Sequence, residues 1–137
     1  MGTRLENWDV LLNECIQDAR DKPFEWGAHD CTTWAMTVRS AMTGSDPAPW
    51  LGTYKTLRGA VGAIKKTGHA DLEEAATSVL GAPVAPLTAQ RGDIVLMGDD
   101  AAFGGAFGVV IGSHAAFVAE DGLTLHPVSE ARRAWRV

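Results

Sequence analysis

Soft metal ligands are scarce in this sequence: it holds two cysteines and four histidines in 137 residues, with no CxxC or HExxH spacing. That shortage argues against a disulfide framework and against a structural metal, and no cofactor is expected. Basic runs are also missing, since the longest are the pairs Lys65–Lys66 and Arg132–Arg133 in a chain of net charge −5. Nucleic acid and anionic membrane surfaces are therefore disfavoured as partners. No window approaches the roughly 18–20 apolar residues of a spanning helix. MGTRLENWDV has no apolar signal core, so neither membrane insertion nor a signal peptide is expected.

What is present suits one domain over residues 1–137, with 46% apolar and 21% charged residues. A chain of this size buries roughly two thirds of its unfolded surface and needs no covalent staple. Leu5, Trp8, Leu11, Leu12, Cys15, Ile16 and Ala19 recur at helical spacing, which predicts an amphipathic helix ending near Asp21, ahead of Pro23. A connector follows, pinned to the core by Phe24 and Trp26. Asp30 then reads as the N-cap of a second helix, with Cys31 in its first turn and Gly44 at its close. LRGAVGAIKK and DLEEAATSVL read as two further helices, the last opened by an Asp71/Glu74 capping box.

After APVAPLTAQRG the period becomes strand-like. DIVLM, AFGVVI, AAFVA, LTLHPV and RRAWRV are short β-rich runs separated by turn residues. A helical part over about 1–81 and a β part over about 92–137 predict an α+β fold, with helices packed on one face of an antiparallel sheet.

Three motifs in this order carry a family resemblance. Phe24, Trp26, Gly27, Asp30 and Cys31 echo an aromatic-x-W-G…D-C signature, RGDIVLM echoes a first strand entered through G-D, and AFGVVIG echoes a strand of the form H-V-G-I-Y-I-G. The chain resembles the NlpC-type, papain-like cell-wall peptidases. WGAHDC and the C-terminal RAWRV make it most similar to the short single-domain members found in tail modules of phages and gene transfer agents. The resemblance implies a papain-like fold with Cys31 as nucleophile. It also implies a place in a virion tail, reached from the bacterial cytoplasm, with tail-tip or hub proteins and peptidoglycan as partners. The sequence departs from the family where it matters most: the residue aligned with the catalytic histidine is Ala106. Phe24 stands for the family tyrosine, and Thr32 and Thr33 for a Ser-Gly pair. A structural or degenerate role is therefore expected, with an active cysteine peptidase as the alternative.

The residues themselves leave both readings open. A thiol in a first helical turn feels the positive end of the helix dipole, which favours the thiolate. Free cysteine is equally a common small core residue. An active enzyme needs a base within hydrogen-bond reach. His29, two positions before Cys31, is the candidate, provided the connector folds back. His114 falls at a hairpin far from Ala106, His126 on a later strand, and His69 after a helix stop, facing solvent. Glu120 and Asp121 read as turn residues of a hairpin returning toward Ala106. Trp50, outside any apolar stripe, reads as an exposed contact residue.

Overall fold

The structure, a computed structural model, describes residues 4–50, 53–98 and 105–137. Four helices come first: α1 (Trp8–Ala19), α2 (Cys31–Thr43), α3 (Leu57–Lys66) and α4 (Leu72–Leu80). Their boundaries follow from local chemistry. The Asp30, Thr56 and Asp71 side chains each accept from the backbone N–H three residues on, and Gly44 closes α2 at a φ of 70°. At α4 the reciprocal bond differs from a strict capping box, because Glu74 reaches back to the N–H of Ala70 rather than to that of Asp71.

Five strands follow: β1 (Ile94–Met97), β2 (Ala106–Val110), β3 (His114–Ala119), β4 (Gly122–Pro127) and β5 (Arg133–Trp135). They form one antiparallel sheet in the order β4-β3-β2-β1-β5. The expected α+β architecture is thus present. Alternation divides the sheet cleanly. Ile94, Leu96, Phe107, Val109, Ala116, Val118 and Trp135 join the helices in the main core, with Phe107 and Trp135 meeting edge to face at 6.0 Å. Val95, Val110, Ala115, Phe117 and Ala134 point the other way, under a second cluster that includes Val84, Ala89, Val128 and Ala131. Much of this cover comes from the connector before β1 and the segment between β4 and β5. Each holds a short 3-10 turn, Pro86–Thr88 and Val128–Glu130, too brief to leave a periodic signal.

Two expectations need correction. Trp50 is 1% exposed and belongs to the main core, so it is no surface contact. His69 is half-buried, its ring edge-on to that of Trp50 at 6.4 Å. In both cases burial is a tertiary property, which no local pattern reports.

Asp93, 1% exposed, ties the two ends of the described chain to the entrance of β1. Its carboxylate accepts from Arg4 Nη2 at 2.9 Å and from the N–H groups of Gln90 and Val137 at 2.8 and 3.1 Å, with Arg136 Nη1 3.8 Å away. Arg4 also donates to the carbonyls of Arg91 and Val137. Removing one member of a buried pair leaves the other charge uncompensated. Asp93→Ala is expected to lower unfolding stability by about 3 kcal/mol. Urea unfolding measures this, and a double-mutant cycle with Arg4→Ala should return a coupling of about 1 kcal/mol or more; additive losses would contradict the clasp.

Candidate active site

The segment before α2 is held by hydrogen bonds that the sequence pattern only hints at. Glu25 and His29 exchange backbone bonds at 3.0 and 2.7 Å, closing a tight loop around Trp26, Gly27 and Ala28. Gly27 adopts a φ of 84°, and a Cβ there would collide with the carbonyl of Tyr54. Its N–H donates to Asp30 Oδ2 at 2.8 Å, while Asp30 Oδ1 receives the N–H of Thr33 at 2.8 Å. The Thr33 hydroxyl lies 3.2 Å from both Asp30 Oδ2 and the hydroxyl of Tyr54. The W-G…D-C pattern is thus a mechanical unit that fixes where Cys31 emerges.

Cys31 lies at the N-terminus of α2, 7% exposed, with its sulfur 3.9 Å from Thr32 Oγ1. Burial pushes the thiol pKa up. Hydrogen bonding with the Phe107 backbone pulls the other way, and the nearby Asp30 charge adds to the rise. Desolvation outweighs what the helix terminus offers the thiolate. The thiol lines a cleft of about 400 Å³, whose other walls include Phe24, Trp26, Leu57, Met97, Ala106 and Val118. Phe24 and Trp26 meet edge to face at 4.8 Å. Cys31 and Ala106 therefore share one apolar cleft.

None of the four imidazoles lines that cleft. His29, 4% exposed, lines a separate cavity of about 180 Å³ with Cys15, Asp18, Lys22 and Thr37, and its buried Nε2 has no hydrogen-bond partner among the described residues. Burial and Lys22 lower its pKa, against an opposing pull from Asp30, so the ring is biased toward neutrality. The connector does close on itself, yet the ring sits on the α1 side and is not brought together with Cys31. His126 packs edge-on to Phe117 at 5.4 Å and lies 4.0 Å from Glu130. His114 opens β3, exposed, with Nδ1 2.9 Å from the hydroxyl of Ser113. Glu120 and Asp121 form the β3–β4 turn, as expected. Tyr54 is the group that sequence reasoning missed. It is 6% exposed, and burial raises its pKa further than the hydrogen bond from Thr33 can offset, keeping it a neutral phenol beside Asp30. Its place after a turn-rich linker gave no periodic signal.

Residues 3–137 match the model of a family described as a domain of unknown function, DUF6950. The chain belongs to that family. Among solved structures, this DUF6950 protein is similar to the NlpC/p60 domain of the peptidoglycan hydrolase SagA, with a TM-score of 0.57 at 14% identity, covering 93% of this chain and 97% of that one. The fold is thus NlpC-like, as the sequence motifs imply. No curated protein matches the sequence.

The buried thiol should titrate late. Alkylation with iodoacetamide, followed site by site by mass spectrometry, is expected to leave Cys31 almost unmodified at pH 7, with its rate rising only above the ordinary thiol value of about 8.5. Because the folded-state pKa is raised, the contribution of Cys31 to stability is complete below that unfolded value and falls as pH climbs toward the folded one. Cys31→Ala should flatten the alkaline limb of the stability profile. Fast alkylation at pH 7 would contradict the assignment.

Proposed function

We propose that this protein is a degenerate NlpC-like domain that holds peptide or peptidoglycan segments in the Cys31 cleft without cleaving them, as part of a phage-like tail tip. The observation that carries the catalytic half of this reading is the cleft itself: a buried thiol whose pKa is raised, in a cleft whose described walls include Ala106 and carry no imidazole. Nucleophilic attack needs a thiolate and a nearby proton carrier, and this arrangement supplies neither. The similarity to a peptidoglycan hydrolase domain supports the choice of ligand class. The tail-tip half rests on the resemblance of WGAHDC and RAWRV to the short tail-module proteins. Its partners are then neighbouring tail-tip or hub proteins, and its place is the virion tail.

The alternative is an active cysteine peptidase in which Cys31 attacks and His29 moves the proton. It requires the His29 ring to leave the cavity beside Cys15 and Lys22 and to cross the start of α2.

Incubation of the protein with muropeptides, beside Cys31→Ala, separates the two. No product is expected from either by mass spectrometry, while purified sacculi should retain both proteins in a pull-down. Release of peptide that depends on Cys31 would establish the peptidase instead. The tail assignment is tested independently by mass spectrometry of purified tails or gene-transfer particles from a cell that encodes the protein: the chain should be present in them, and its absence would remove that half of the reading.

A further inference from the structure

The cleft of Cys31 has a neighbour. A second cavity, of about 430 Å³, shares Met97, Gly98, Ala106 and Val118 with it, and continues past Phe117 and Thr124 to His126 and Glu130. The four shared residues lie at one end of the sheet, where Met97 and Ala106 make the last pair of the β1–β2 ladder. Beside them β2 and β3 are paired only at Val109–Ala116 and Val110–Ala115, so no ladder links Ala106 to the end of β3. Val118 packs with the helix-side core, whereas Phe117 packs on the opposite face, with its ring over Gly108, where a Cβ would collide with it. The two cavities thus approach the same sheet end from its two faces and meet at Met97, Gly98, Ala106 and Val118, with Met97 and Ala106 packed on the second face.

From this geometry we infer that the two cavities form one groove over Ala106, and that it takes an extended peptide whose cationic end lies against Glu130. The chemistry differs along its length. The Cys31 arm is apolar, walled by Phe24, Trp26 and Leu57, and suits aliphatic side chains. The far arm ends on the Glu130 carboxylate beside His126 and the ring of Phe117; the carboxylate and the aromatic face attract an ammonium group. The net charge of −5 favours the same sign of ligand. Ala106 acquires a steric role here: a large side chain at that position would fill the junction and divide the groove. The inference rests on the proposed reading of the Cys31 cleft as a peptide-binding cleft.

Fluorescence anisotropy with three labelled hexapeptides, alike except for a lysine, norleucine or glutamate at one end, tests it. The lysine peptide should bind about fivefold tighter than the norleucine peptide at low ionic strength, with the preference shrinking as salt is added. Glu130 is an exposed side chain, so Glu130→Lys should fold normally and move the preference to the glutamate peptide. Ala106→Trp should weaken binding of all three by about tenfold, with circular dichroism confirming an unchanged fold. Equal affinities for the three peptides, an unmoved preference in Glu130→Lys, or full affinity in Ala106→Trp would each overturn the groove. Failure of all three peptides to bind would overturn it as well. Retention on sacculi separates that result from failure of the broader reading, because a protein that holds sacculi yet ignores these peptides keeps the reading and loses only the groove.

Discussion

The carboxylate of Asp30 sets the geometry on which the candidate site depends. With no exposed surface, it gathers the N–H of Gly27, the N–H of Thr33 and the hydroxyl of Thr33, joining the connector loop to the first turn of α2. A buried carboxylate is tolerable only when its oxygens are met by donors, and three are supplied within a few residues. The same bonds aim Cys31 at β2 and hold Trp26 where it walls the cleft. Helix capping and site construction are therefore one interaction, and changes at Asp30 act on both.

Much of this was legible because it is local. Asp30, Asp71 and Gly44 announce helix limits through bonds that span three or four residues, and the change of period after Gly92 marks the sheet. The expectation that Ala106 stands at the histidine position rests on the spacing of AFGVVIG alone. What escaped is set at a distance. Trp50 lacks a stripe of its own and is buried in the main core, beside the ring of His69. The second face of the sheet is covered by connector segments with no period to read. The position of His29 depends on paired backbone bonds with Glu25 and on the proximity of α1, so its ring lines a different cavity from the one Cys31 lines.

Under the proposed reading, one scaffold keeps a pocket while its chemistry changes. Desolvation that holds the thiol protonated is the same property that suits the walls to aliphatic groups. A base at position 106 would bring polarity into that environment and ask the pocket to carry charge. With alanine at that position, the described walls from Phe24 to Val118 are mostly apolar.

The sheet order has a consequence for assembly. β2, β3 and β4 join their predecessors through short connections, but β5 returns across the whole meander to lie beside β1. There Trp135 donates to Thr77 of α4, and Arg132 and Arg133 both reach Glu73. These contacts span long stretches of chain, and their closure entropy is recovered only once the partners on α4 and β1 are already in place. The last strand covers an edge of β1 that would otherwise present unpaired backbone groups as a hydrogen-bonding template.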